Sequence, residues 1–284
     1  MTVKIAYLGP VGTYSETAAL AYANSLPPQP HQLIPYPSIA LALRSVVQNQ
    51  ADLAVVPVEN STEGSVVMTL DALWQLPGLQ IQQELVLPIS HALLSPRQSL
   101  TEIKTVYSHP QALAQCQKWL ENNLPTVPII PTNSTTEAIQ ILDQEANSAA
   151  IASPRAAKLY HVPILTQPIN DYPDNCTRFW VMALTSHPQG ERMSLAFQVL
   201  DQPGALVKPL EVFAKRQLNL SRIESRPTKI SLGEYIFFID LEINPDQQHL
   251  IAATLEELTN YTDAIKVFGA YQVVNLPVES LEEL

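Results

Sequence analysis

Residues 51–64, Ala-Asp-Leu-Ala-Val-Val-Pro-Val-Glu-Asn-Ser-Thr-Glu-Gly, decide how the chain is read. Residues 51–58 form an apolar run rich in valine, and the polar stretch 59–64 follows at once. Such a run, bounded by turn residues and too short for a helix, reads as a buried strand. A helix fits residues 65–75 behind it. Working upstream, a strand fits 3–8, and Ser15 is an N-cap candidate for an alanine-rich helix over 16–24. A second strand fits 32–36 and a helix 38–50. This alternation implies a mostly parallel sheet with helices on its faces.

Downstream, residues 79–94 are extended and lack a helical period, which suits a crossing into a second lobe. Alternation then restarts: strand 105–108, helix 110–123, strand 127–131, helix 134–144, strand 149–152, helix 154–160, and strands 164–169 and 177–184. Two α/β lobes predict a cleft lined by loops at the C-terminal ends of the strands. The polar segment 186–191 (SHPQGE) reads as a linker. Beyond it come a strand at 194–200, a helix at 204–217 with Leu206, Leu210, Val212 and Phe213 at helical spacing, strands at 218–224 and 234–243, a helix at 250–261 and a strand at 265–274. That βαββαβ order is the ferredoxin-like split unit. The expected division is therefore residues 1–185 as two lobes, with chain crossings near 79–94 and 164–175, a linker at 186–191, and a second domain at 192–284.

Composition narrows the class. A chain of 284 residues is long for one core. Apolar residues make up 46% and charged residues 15%, as in ordinary globular proteins. A formal charge of −11, with Lys215-Arg216 as the densest basic patch, opposes binding to nucleic acid. Cys116 and Cys176 form no CxxC pair and fit a reducing cytosol. The N-terminus lacks a signal-peptide pattern, and no run approaches the ~18 apolar residues of a membrane span. A cytoplasmic protein without nucleic-acid or membrane partners is expected.

Four polar clusters sit at the ends of expected strands. The loop from Gly9 to Glu16 opens a helix, as an ordinary turn or as an anion site made of backbone amides. The second, Glu59-Asn60-Ser61-Thr62-Glu63-Gly64-Ser65, holds more hydrogen-bonding side chains than a helix cap needs, which favours a binding loop over a cap. In Ser108-His109-Pro110-Gln111, with Gln115-Cys116 further along, His109 reads as a structural residue before a proline-initiated helix. Cys116 reads as a small apolar helix residue. In Asn175-Cys176-Thr177-Arg178-Phe179, Arg178 either forms a surface ion pair or holds a carboxylate in fork geometry. No spacing of His or carboxylates suits a metal, and neither metal nor cofactor is expected.

Together, GPVGTYSE, VPVENSTEG, SHPQALAQC, the Thr177-Arg178-Phe179 run and the late Ile223-Glu224-Ser225-Arg226-Pro227 resemble the prephenate dehydratase family, in order and in spacing, from Ile5 to about Val274. The resemblance implies a two-lobed region resembling periplasmic binding proteins, followed by an ACT regulatory domain. It implies that Thr177 is the catalytic threonine, that Arg178 and Phe179 complete its motif, and that Glu59, Asn60, Ser108 and Gln115 surround it. Thr13, Ser15, Ser61 and Thr62 match further substrate-pocket positions. For the tail it implies that Gly204, Ala205, Leu206 and Val207 face Glu224, Ser225, Arg226 and Pro227 across paired ACT domains and trap phenylalanine. A homodimer or tetramer follows from that pairing.

The implied reaction converts prephenate to phenylpyruvate, water and CO2 in phenylalanine biosynthesis. Aromatisation drives it, so positioning and a proton donor at the departing hydroxyl suffice. Thr177 would donate, with Glu59 or water as a proton relay, and Arg178 would hold a substrate carboxylate. Arogenate dehydratase is the nearest alternative, and a non-catalytic small-ligand-binding protein the alternative of another class. With the first strand at residue 3, a monofunctional enzyme is expected.

Overall fold

The computed structural model describes residues 2–186, 189–199, 202–231 and 233–278. The first lobe opens with β1 (Val3–Leu8), α1 (Tyr14–Ser25), β2 (His31–Tyr36), α2 (Ile39–Val47), β3 (Leu53–Asn60), the short β4 (Gly64–Ser65), α3 (Val67–Gln75) and β5 (Gln80–Pro88). The second lobe holds β6 (Ala92–Leu94), β7 (Thr105–Ser108), α4 (Pro110–Gln115), α5 (Gln117–Asn123), β8 (Ile129–Pro131), α6 (Thr135–Ile141), β9 (Ser148–Ala152), α7 (Pro154–Tyr160) and β10 (Ile164–Thr166). The chain returns to the first lobe as β11 (Cys176–Ala183). The tail adds β12 (Arg192–Gln198), α8 (Val207–Lys215), β13 (Asn219–Pro227), β14 (Tyr235–Glu242), α9 (Ile251–Leu258) and β15 (Ala264–Asn275). No helix among the described residues is long and apolar enough to cross a membrane.

The first lobe is a mixed sheet. β1 pairs in parallel with β2 and β3, while β11 runs antiparallel between β3 and β5. The second lobe has the strand order β10-β6-β9-β7-β8. Two passages, at residues 88–92 and 166–176, join the lobes, so the two-lobed architecture is present. The βαββαβ tail is present as well, and its sheet has the order β13-β14-β12-β15.

The tail is less separate than a linker and an independent domain would suggest. β15 pairs antiparallel with β12 over residues 264–271, then parallel with β5 over residues 272–275. One strand thus fuses two sheets into one. α8 and α9 cover one face of the tail sheet through Val212, Phe213 and Leu258. Ala196, Ile236, Phe238, Phe268 and Tyr271 on the other face join the core of α2 and α3. Lys266 of β15 donates to the carbonyls of Leu73 (2.7 Å) and Trp74 (3.2 Å) and also to that of Leu76. A cation there neutralises the negative end of α3. Of the linker expected at 186–191, residues 187–188 lie outside the described residues. Gly190 packs so tightly that a Cβ would lie 2.1 Å from the Tyr271 backbone.

Three local expectations change. The N-cap of α1 is Thr13, not Ser15: Thr13 Oγ1 accepts from the Glu16 amide at 3.4 Å, and Ser15 lies inside the helix. The single helix expected over 110–123 breaks at Cys116. Asp171, in the returning passage, explains the break. Its amide donates to the Gln115 carbonyl at 2.8 Å, and its carboxylate accepts the amides of Lys118 (2.9 Å) and Trp119 (3.0 Å). One residue therefore ends α4 and caps α5. Finally, β3 runs through Glu59 and Asn60, which had been read as loop.

Candidate active cleft

A cleft of about 280 Å³ lies between the lobes. The first lobe contributes Thr13, Tyr14, Ser15, Asn60, Thr177 and Phe179, and the second His91, His109, Gln111, Gln115, Ser134 and Thr135. The N-termini of α1, α4 and α6 all open onto it, so amides and positive helix ends face the same space. Among the described residues, neither lysine nor arginine lines it. The lobes meet closely here: Gly12 has φ +87, and a Cβ on it would come within 2.8 Å of Thr136 Cγ2. An ion pair of Glu16 on α1 with Arg155 on α7, at 2.5 Å, joins the lobes beside the cleft.

The buried polar chain within the cleft has a fixed direction. The amides of Thr62 (3.0 Å) and Glu63 (3.1 Å) donate to Asn60 Oδ1, which settles the orientation of that side chain. Asn60 Nδ2 then donates to Asn175 Oδ1 and to Thr177 Oγ1, both at 2.9 Å. Asn175 Nδ2 donates to Gln115 Oε1 at 3.0 Å. The same oxygen lies 2.8 Å from His91 Nε2, so His91 must donate from Nε2. His91 Nδ1 meets the Tyr14 hydroxyl at 3.1 Å. Burial holds His91 below the ordinary histidine range against a smaller opposing effect of Gln115, which keeps the ring neutral.

Thr177 is the end of this chain. Its oxygen accepts from Asn60, and its own O–H finds no protein acceptor among the described residues. At 8% exposure it faces the cleft. The arrangement makes the hydroxyl a donor toward whatever fills the space.

Arg178 and Glu59 do not reach the cleft. On a strand, neighbouring side chains point to opposite faces. Thr177 and Phe179 face the cleft, and Arg178 faces the tail domain. Arg178 forks onto Glu84 (2.9 and 2.6 Å), and it also meets Glu59 at 2.5 Å and Asp240 of β14 at 2.8 Å. Burial alone would lower its pKa. The hydrogen bonds to Glu84 and the charges of Asp240 and Glu84 outweigh burial and raise it far above the ordinary value. The expectations of Arg178 as a carboxylate ligand and Glu59 as a proton relay at Thr177 are therefore corrected by geometry: both groups are engaged on the far face of the sheet.

Other expected residues divide in the same way. Thr13, Ser15, Asn60, Gln115, Thr177 and Phe179 line the cleft together. Ser108 does not: fully buried, its hydroxyl donates to the Ile151 carbonyl at 2.6 Å and ties β7 to β9. Ser61 and Thr62 act behind the lining, donating to Asn175 Oδ1 (3.1 Å) and Asn60 Oδ1 (2.7 Å). Burial pushes the Cys116 thiol up to about 12, helped by Asp171, so it is inert. His109 caps α4 through Nδ1, 3.3 Å from the Gln111 amide, and its ring also lines the cleft.

In the tail, Gly204, Ala205, Leu206 and Val207 border a cavity of about 220 Å³ with Tyr235 and Phe237. Within one chain, residues 224–227 do not line it. Glu224 instead accepts from Ser65 at 3.0 Å, and Arg226 pairs with Asp71 of α3 at 3.1 Å. Ser225 is exposed on the opposite side of β13, as is Pro227.

Sequence reading missed His91, Asn175 as a link in the chain, and Ser134-Thr135. His91 stood alone in the apolar stretch 85–94, with no partner within reach along the chain. The polar run Thr132-Asn133-Ser134-Thr135-Thr136 carried the same excess over one cap as residues 59–65.

Comparison with known proteins places the chain in a family. Residues 5–187 match the prephenate dehydratase family and residues 193–259 the ACT domain family. A bifunctional chorismate mutase/prephenate dehydratase from Aquifex aeolicus is 42% identical over 271 residues, covering 95% of this chain and 73% of that protein. A prephenate dehydratase from Lactococcus lactis subsp. lactis is 37% identical over 283 residues, covering 96% and 99%. Among solved structures, a prephenate dehydratase from Arthrobacter aurescens in complex with L-Phe is 34% identical with TM-score 0.84, covering 95% of this chain and 90% of that one.

Proposed function

The chain belongs to the prephenate dehydratase family, and we propose that its cleft converts prephenate to phenylpyruvate, CO2 and water, with Thr177 as proton donor to the departing hydroxyl. The carrying observation is the polarity of the buried chain, which makes Thr177 Oγ1 an acceptor from Asn60 and leaves its O–H aimed at substrate. The reaction consumes one proton, which Thr177 passes to the departing oxygen while it regains one from solvent water: the C–O bond breaks toward oxygen, the ring carboxylate leaves as CO2, and its electron pair completes the aromatic ring. A carboxylate that must become neutral CO2 gains nothing from an adjacent cation. The helix N-termini and neutral donors of the cleft suit a dianion held without one. Gln115 and Phe179 position the substrate with Thr13 and Ser15, while Asn60, Ser61, Thr62 and Asn175 hold the donor in place.

The same reading extends to the tail. We propose that residues 192–284 sense phenylalanine, the ligand of the Arthrobacter aurescens relative, at residues 204–207 and 224–227 of paired tail domains in a homodimer or tetramer. Residues 1–185 then form the catalytic unit, and the enzyme works in the cytoplasm. Phenylpyruvate formation from prephenate by the purified protein, with and without millimolar phenylalanine, tests this. Turnover that falls with phenylalanine is expected. Absence of turnover would refute the dehydratase, and full activity in saturating phenylalanine would refute the sensor.

A further inference from the structure

Adjacent rungs of one strand pair carry two different chemistries. On β3 and β11, Asn60 lies opposite Thr177, and Glu59 lies opposite Arg178. The first rung faces the cleft and the second faces the tail. Arg178, Arg192 and Arg222 meet Glu59, Glu84 and Asp240 there, three positive groups against three negative ones. Glu84 and Asp240 are buried completely or nearly so, at 0% and 1% side-chain exposure. Ser194 of β12 donates to Asp240 at 2.6 Å, and Trp180 of β11 donates to Glu84 at 3.0 Å. The cluster thus takes members from both the catalytic lobe and the tail sheet.

Its members are unequally satisfied. Arg178 holds Glu59 at 2.5 Å and Asp240 at 2.8 Å. Arg222 of β13 points at the same two carboxylates, but its Nε is 4.0 Å from Glu59 and its Nη1 is 3.7 Å from Asp240. Both nitrogens are buried without a hydrogen-bond partner, and the side chain is only 7% exposed. Its Nη2 donates to Ser65 Oγ at 2.7 Å, and Ser65 in turn donates to Glu224 at 3.0 Å. A buried charged donor left short of its acceptors is costly. An approach of roughly 1 Å would satisfy it.

We infer that Arg178 is a positioning residue for Thr177, and that Arg222 competes with it for Glu59 and Asp240, so that movement of β13 is felt at the Asn60–Thr177 rung. Arg178 holds β11 against β3 one residue from the reacting hydroxyl. When Arg222 draws Glu59 and Asp240 toward itself, that grip loosens and the donor geometry of Thr177 degrades. Arg222 lies two residues before Glu224, in the strand read above as half of the effector site. The inference rests on that reading for the identity of substrate and effector.

Three variants of the full-length protein test it, each measured for kcat and KM with prephenate, for phenylalanine binding by calorimetry, and for inhibition. Arg178→Lys keeps the charge but loses the fork. It should lower kcat by about tenfold or more while KM stays within about twofold, the mark of a contact that matters only in the transition state. A raised KM with kcat intact would make Arg178 a substrate ligand and overturn the inference. Arg222→Met should leave basal kcat and KM unchanged and phenylalanine bound, with inhibition weakened at least about fivefold. Inhibition equal to wild type, or loss of binding along with inhibition, would overturn it. Should that variant fold poorly, Ser65→Ala removes the anchor of Arg222 by a single atom and must shift the inhibition midpoint more than about twofold, an unchanged midpoint counting against the inference. Failure of the functional reading would show in the wild type as no turnover, whereas failure of this inference shows only in the variants.

Discussion

Asn60→Asp tests the direction of the buried chain with almost no change of shape. In the wild type, Asn60 Nδ2 donates to Thr177 Oγ1 and to Asn175 Oδ1, each at 2.9 Å. Aspartate puts an oxygen where that donor was. The Thr177 O–H then has a charged acceptor within reach and turns away from the cleft. A hydrogen bond to a charged group is worth about 1.5–3 kcal/mol net, and the catalytic step must now give it up. At about 1.36 kcal/mol per factor of ten, kcat should fall roughly 10- to 150-fold. KM should stay within about twofold, because the lost contact acts on the leaving oxygen in the transition state.

A second readout separates this from general damage. A protonated carboxyl is again a donor, and burial raises the pKa of a carboxyl. Relative to wild type, kcat of the variant should therefore recover as pH falls. Rates of phenylpyruvate formation from about pH 8 to pH 5.5, corrected for the fraction of folded protein, measure it. An unchanged kcat, or a loss that is the same at every pH, would refute the assignment of Thr177 as the oriented donor.

Thr177→Val should lower kcat by about 10²–10⁴, the usual worth of a positioned proton donor, while Thr177→Ser retains most of the rate; equal activity of the two variants would sink the role. Gly12→Ala asks an alanine to adopt φ +87 and to fit a Cβ 2.8 Å from Thr136 Cγ2. It should lower stability by about 1–2 kcal/mol from the backbone alone and raise KM by opening the lobes, with an unaltered melting curve and KM as the contrary result. His91 is held below its ordinary value of 6.5 by burial, with a hydrogen bond to Gln115 opposing. The unfolded chain therefore binds its proton first: the stability is intact above about pH 6.5 and is lost as pH falls through the lower folded value. His91→Gln should flatten denaturant-measured stability between about pH 7 and pH 5, and an unchanged slope would show that other groups carry it.

Much of the fold was legible because the relevant signals are local. An apolar run such as residues 51–58 needs no partner to announce a strand, and the helices expected from residues 38 and 134 do begin at Ser38 and Ser134, which cap them. What was not legible depends on residues distant in sequence. The break at Cys116 is made by Asp171, 53 residues from Lys118. The role of His91 comes from Gln115 and Tyr14, 24 and 77 residues away. The fusion of the two sheets rests on β15 meeting β5, whose paired residues lie 189 positions apart, as in Gln272 and Gln83. No periodicity within either segment encodes such a contact.

The misplacement of Glu59 and Arg178 has a different cause, since the rule that places them was available. Period-two alternation sends Thr177 and Phe179 to one face and Arg178 to the other, as soon as residues 177–179 are read as strand. The same rule separates Glu59 from Asn60 once β3 is seen to reach residue 60. Residues 177–184 read as strand, so for Arg178 the alternation is in view and is overridden by its reading as a carboxylate ligand; for Glu59 it is hidden, because a polar pair at a strand end looks like a loop. With the strand extended, both polar pairs resolve into two rungs with opposite duties. Asn60 and Thr177 can be neutral and open to substrate, because the charges that fix their strands sit one residue away on the dry side. A cluster of three arginines and three carboxylates placed in the cleft would swamp the weak donor on which the chemistry depends. Placed behind it, Arg178 and its carboxylates hold the donor still, and Arg222 gives the tail domain a lever on that grip.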